Sequence, residues 1–221
     1  MSTTKFAFVA AAVAALGLGT ASEGLAQACI GTPTISGQRA LSGGVGFPEG
    51  ATRYHARLDM NTASPLSLTG SYTRTEMDNV SASTNTAGAG VAYRLPAAVI
   101  GGDLAVQGCP TVRATYTFAG GDLDYNRLEV PVGVGLGTRM NVGAGMALAP
   151  YVVPQVVFSR TSTTAANQDV TTTGTGYGAI VGSALDFGPF FAGVDYTTTR
   201  WNENSLNRTD SELGLRIGVK F

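Results

Sequence analysis

The sequence predicts an all-β protein: an antiparallel transmembrane β-barrel, with ten strands the favoured count and eight the alternative. Three observations carry this. Most of residues 39–221 alternates with period two, the side-chain period of a strand. One face of that alternation is aliphatic and aromatic, and the other is Gly, Ser, Thr, Arg and Glu. A soluble sandwich or barrel points its large apolar residues inward, where they meet a second apolar surface. A narrow polar interior with an apolar exterior is instead the pattern of a barrel turned outward to lipid. The third observation is composition: 30 glycines, 44% hydrophobic residues and only 13% charged residues.

That composition excludes several classes. Disorder needs low hydrophobicity and high net charge, whereas this chain has net charge -1. A coiled coil needs abundant Glu, Lys and Leu. Nucleic-acid binding needs a basic patch, and none is visible. After residue 28 no apolar run reaches the roughly 20 residues of a membrane-spanning helix.

The first 28 residues read as a cleavable signal peptide. Lys5 supplies the positive start, Phe6 to Leu18 the apolar run, and Ala26-Gln27-Ala28 the small-x-small cleavage pattern. The second domain, 29–221, is the barrel.

Alternation and turn residues place strands at 39–47, 51–60, 66–75, 85–95, 111–119, 127–137, 146–159, 174–187, 190–200 and 209–221. In 51–60, Tyr54, Ala56, Leu58 and Met60 share one face, opposite His55, Arg57 and Asp59. Val112 to Phe118 and Leu128 to Leu136 alternate in the same way. The first and fourth strands are rich in Gly and Ala. The seventh, around Tyr151 to Phe158, shows no clean alternation, so its faces stay unassigned. In the last, Leu213, Leu215, Ile217, Val219 and Phe221 oppose Gly214, Arg216, Gly218 and Lys220.

The connections fit an even strand count with both termini on one side. Asn61 to Pro65 and Asp186 to Pro189 are short and turn-rich. Glu76 to Thr84, Thr161 to Asp169 and Trp201 to Arg208 are longer, polar and assigned to the opposite side, and the Thr-rich stretch Thr161 to Thr175 reads as a mobile outer loop running into a strand. Pro96 to Pro110 is a long exception on the terminal side.

With its export segment, its strand alternation and a last strand ending in Phe221, the chain resembles the small outer-membrane β-barrels of Gram-negative bacteria, of the OmpA/OmpX type. The resemblance covers nearly the whole mature chain. It implies a location in the bacterial outer membrane, among its lipid and lipopolysaccharide. It also implies recognition of Leu213, Leu215, Ile217, Val219 and Phe221 by the barrel-assembly machinery. It is nearly silent on activity.

On this topology Cys29 and Cys109 are both periplasmic. An oxidising compartment favours a disulfide between them, worth roughly 4–5 kcal/mol in the chain-entropy model. The rival reading makes Cys29 a lipidated N-terminus, although Ala26 stands where a lipobox wants Leu. Alternation puts Arg53, His55, Arg57, Asp59, Arg94, Arg113, Glu129, Asp195, Glu212, Arg216 and Lys220 in the lumen. Two readings follow. One is an Arg–carboxylate network that fills and stiffens the barrel; the other is a polar pore favouring anions.

No catalytic residue, metal or cofactor is expected. His55 is the single histidine and lacks the Asp-His or His-Ser steps of known barrel hydrolases. Tyr72, Tyr116, Phe118, Phe158, Tyr196 and Trp201 form one expected aromatic belt; Tyr93, Phe187, Phe190 and Phe221 form the other. Glu49, Glu76, Asp78, Asp122, Asp124, Asp169 and Glu203 fall in outer loops. The expected function is structural or surface interaction, with a narrow channel for ions or small polar solutes as the alternative, and no nucleic-acid partner.

Overall fold

Ten strands pair in chain order and close on themselves. They are β1 (Arg39–Pro48), β2 (Ala51–Asn61), β3 (Leu66–Met77), β4 (Ser83–Tyr93), β5 (Ala105–Ala119), β6 (Asp124–Gly137), β7 (Met146–Ala165), β8 (Gln168–Phe187), β9 (Phe190–Glu203) and β10 (Leu206–Lys220). Every pairing is antiparallel. The structure is a computed structural model, and it describes residues 28–29, 32–33, 39–61, 65–78, 82–99, 105–119, 124–165, 168–203 and 206–221. The expected signal peptide lies almost wholly outside these residues, as does Asp122.

The seam between β10 and β1 runs from Glu212↔Pro48 to Lys220↔Ala40. It finishes with Phe221 and Arg39 exchanging backbone hydrogen bonds of 2.9 Å in both directions. The terminal residue therefore closes the barrel, which removes the exposed edge an open sheet would present. Tight hairpins connect β1 to β2 and β8 to β9. Gly50 and Gly188 adopt φ of 73° and 70° there, a conformation that other residues enter only with strain.

The apolar face points out. Tyr54, Leu58, Met60, Leu213, Leu215, Ile217 and Val219 are all exposed, with Ile217 at 71%. Tyr93, Phe187, Phe190 and Phe221 are exposed toward the end that carries the C-terminus, here the near end, whereas Tyr72, Tyr116, Phe118 and Phe158 are exposed toward the far end. Trp201 departs from its expected place in the far belt. It is 4% exposed and inward-facing, because its ring lies under the Arg127 guanidinium, 4.6 Å from the ring centre. Its Nε1 also donates to Asp210 Oδ2 at 2.9 Å.

Three connections differ from expectation. Trp201 to Arg208 is one: β9 and β10 stay paired through Trp201↔Arg208, Asn202↔Asn207 and Glu203↔Leu206. The described residues of Thr161 to Asp169 are strand: β7 and β8 pair residue by residue out to Ala165↔Gln168. Low complexity conceals that Thr is β-branched and strand-favouring. Pro96 to Pro110 is not wholly irregular either. Ala98–Val99 pairs with Ala105 and Val106, and β5 starts at Ala105. Two further short segments complete the sheet inventory. Met140–Gly143 pairs with the start of β7. Ala28–Cys29 pairs with Thr32–Pro33, and this small pair lies against β5, β6, β7 and β8.

The lumen as candidate functional site

The interior follows from a division of space between neighbouring strands. Large inward side chains lie over inward glycines on the adjacent strand. A Cβ at Gly182 on β8 would stand 2.5 Å from the Tyr151 hydroxyl on β7, and one at Gly214 on β10 would stand 2.8 Å from Asp195 Oδ1 on β9. Close approach of a neighbouring group is what glycine permits in a strand. The high glycine content thus makes room for polar and aromatic side chains in a narrow barrel.

The near half of the lumen is filled. Asp186 on β8 is 2% exposed. It accepts from Lys220 Nζ on β10 and pairs with Arg139 Nη2 at 3.1 Å. Beside them the buried Asp59 receives Arg57 Nη2 at 2.8 Å and the Thr69 hydroxyl at 2.9 Å. Arg216 Nη2 donates to the Tyr151 hydroxyl at 2.8 Å, with the guanidinium over the Tyr151 ring. Phe191, at 2% exposure, occupies the same region.

β7 contributes an apolar patch here, Tyr151 and Val153 backed by Ile180 of β8. This explains why its faces were unreadable: Tyr151, Val153 and Val157 point inward while Val156 and Phe158 point outward. Cys109, fully buried on the lumen face of β5, is not a free thiol.

The far half holds three adjoining chambers of about 240, 390 and 460 Å³. The innermost is lined by Arg53, His55, Arg57, Arg113, Asp195, Glu212 and Arg216 among others. The second adds Glu129, and the third reaches Met77, Ala82 and Thr163 at the far rim. Arg53 is ion-paired to Glu212. Arg127 pairs with Glu129 at 2.9 Å and Arg208 with Asp210 at 2.9 Å.

Of the sequence-predicted lumen residues, Arg53, His55, Arg57, Arg113, Asp195, Glu212 and Arg216 thus meet around one chamber. Glu129 stands above them, and Asp59 and Lys220 lie in the filled near half. Arg94 sits apart, just past β4 at the near rim, its amide donating to the Pro65 carbonyl at 2.7 Å.

Sequence reasoning missed Asp186, Arg139, Arg127 and Tyr151. Asp186 resembled a turn residue because Gly188-Pro189 follows. Its usable signal was parity: it lies in step with the inward Gly182 and Ala184. Among the described residues no group of three or more His, Cys, Asp or Glu could hold a metal.

A closed, even-stranded antiparallel barrel with an apolar exterior and a polar lumen is the architecture of an outer-membrane β-barrel. No protein-family model matches the chain, and no curated protein matches it. Solved structures similar to it include the Neisserial surface protein A, with 12% identity, a TM-score of 0.40, and cover of 83% of this chain and 95% of that one. Another is the N-terminal β-barrel domain of Pseudomonas aeruginosa OprF, with 11% identity, a TM-score of 0.34, and cover of 84% and 98%. A third is the attachment invasion locus protein Ail of Yersinia pestis, with 12% identity, a TM-score of 0.35, and cover of 85% and 100%.

Proposed function

We propose that the chain serves the bacterial outer membrane as a structural or surface-interacting barrel whose lumen is closed at its periplasmic, near end. The observation that carries this reading is the buried layer Lys220–Asp186–Arg139 with Arg57–Asp59 beside it. Charges this buried are kept only in good pairs, so the layer acts as fixed filling rather than as a wetted wall. The far end, with Arg74–Glu76 and other exposed polar residues, faces outward to lipopolysaccharide and to extracellular partners. In this reading His55 is a wall residue of the innermost chamber and carries no catalytic role.

Carbonate washing of cell envelopes tests the location. The protein is expected to stay with the membranes and to shift gel mobility on heating. Release into the wash would indicate a secreted soluble barrel instead.

The same reading ties the N-terminus to the barrel. The chain has two cysteines, Cys109 is not a free thiol, and the Ala28–Cys29 segment lies against β5. A Cys29–Cys109 disulfide would pin that segment across the near mouth. Replacing Cys29 by Ser is expected to lower stability by about 4 kcal/mol on the chain-entropy account. Unchanged stability, or a lipid found on Cys29, would count against the link. Recognition of Leu213 to Phe221 by the assembly machinery belongs to the same proposal, supported by the seam that Phe221 closes.

The three chambers favour a second reading, a narrow channel. It requires the near layer to part, and a steady current would reveal it.

A further inference from the structure

The outer face of β6 to β9 carries a groove. In register across these strands, Val132, Val156, Tyr177 and Arg200 form one outward row. The next row toward the near end is short: Pro154, Ala179 and Thr198. Beyond it Leu136, Val152, Val181 and Tyr196 are tall again. The short row between two tall ones leaves an open trough of about 760 Å³ that reaches Val134. Arg200 is the one charged residue among those lining it, exposed and without an ion pair or hydrogen bond among the described residues. The trough is inclined. Following the register from Phe190 at the near end of β9 through β10 and round the ring returns to β9 at Asn202, near its far end. Each step in chain order therefore climbs toward the far end. The trough thus descends from Arg200, close to the far end of β9 at Glu203, to Val134 on β6.

A cation on the lipid face is costly at mid-bilayer and tolerated at the interface, where it meets water or an anionic headgroup. An apolar trough that starts at a guanidinium near the far interface and runs down into the hydrocarbon has the layout of a lipid, with its anionic head above and its chain below. A free anion would use Arg200 but not the trough; a neutral lipid would use the trough but not Arg200. We infer that this groove binds a phosphate-bearing lipid of the outer leaflet. Its phosphate rests on Arg200 and one acyl chain runs along Pro154 and Ala179 toward Val134. The planar fork of arginine matches phosphate oxygens with two parallel hydrogen bonds. Thr198, two residues along β9, and Thr209, in register on β10, bring hydroxyl donors to the same place. The inference rests on the outward-facing far end of the proposed function and names a lipid contact within it.

The test is native mass spectrometry of the folded chain released from non-ionic detergent micelles. It is titrated with dioleoyl phosphatidic acid, dioleoylglycerol and inorganic phosphate. Phosphatidic acid is expected to saturate one site at least about tenfold more tightly than either other probe, a difference of about 1.4 kcal/mol. Arg200→Gln is expected to abolish the preference over dioleoylglycerol. Ala179→Phe, which fills the floor of the trough, is expected to weaken phosphatidic acid about tenfold. Arg160, an exposed arginine of β7 outside the groove, is the control, and Arg160→Gln is expected to leave binding unchanged. Heat-shifted mobility checks that each variant folds. If the variants fail to fold, the three-probe comparison on the unaltered chain still decides. Equal binding of phosphatidic acid and dioleoylglycerol would overturn the proposal, and so would inorganic phosphate binding as tightly as the lipid. An equal loss in Arg160→Gln would mark a diffuse charge effect and overturn it too. Dimers that Ala179→Phe disperses, with no lipid preference, would give the groove to a second copy instead. The carbonate wash reads location separately, so a chain that stays with the membranes yet shows no lipid preference loses this site alone.

Discussion

Replacing Asp186 by Leu is expected to destabilise the barrel by about 3–5 kcal/mol, the cost of breaking a buried ion pair by removing one partner. Asp186 and Lys220 are both nearly inaccessible, with side chains 3% and 2% exposed. Arg139 shares the same carboxylate. Leu fills the volume but strands two cations in a water-poor layer. The double variant Asp186→Leu/Lys220→Met also removes the more buried of the two cations, leaving Arg139, 23% exposed, to be met by water at the rim. It is expected to recover part of the loss, because an apolar pair of similar volume can match a buried ion pair. Denaturant unfolding in lipid vesicles measures both. A single-variant loss below about 1 kcal/mol would mean that water reaches the layer and the near end is open.

Placing Arg at Leu215 is expected to cost about 2–4 kcal/mol, the range for a cation on the lipid face of a barrel near mid-bilayer. Leu215 is 45% exposed and pairs with Val194 and Val45. It lies between Val219↔Phe190 toward the near end and Leu213↔Phe47 toward the far end. On a water-facing surface the same change would stay within about 0.5 kcal/mol. Thr73→Arg is the matched control, since Thr73 lines the inner chambers and its replacement meets no lipid. The vesicle unfolding assay reads the difference between the two. Equal, small effects would remove the lipid from the account.

The faces of β2 and β10 were legible because one side is uniformly apolar and the other carries charge: Tyr54, Leu58 and Met60 against His55, Arg57 and Asp59. β7 was illegible because both its faces are apolar, and what makes its inward face tolerable is glycine on the next strand. Gly182 beneath Tyr151 is a cross-strand relation that no single-strand period contains. Likewise the pairing of Lys220 with Asp186 depends on bringing together two segments 34 residues apart in sequence. Alternation could place Lys220 inward but could not name its partner. Trp201 reads as a belt aromatic by position along the strand. Its parity with Asp195 already places it inward, and Arg127 and Asp210 complete the reason. The chambers were not legible at all, since their volume is set by which strands face each other across the ring.

The most direct test is single-channel conductance of the refolded barrel, residues 29–221, in a planar bilayer, with folding confirmed by heat-shifted mobility. The filled near half, held by Lys220–Asp186–Arg139 and Arg57–Asp59, predicts no steady current from folded barrels. A steady, reproducible conductance would contradict the closed lumen and identify the barrel as a channel.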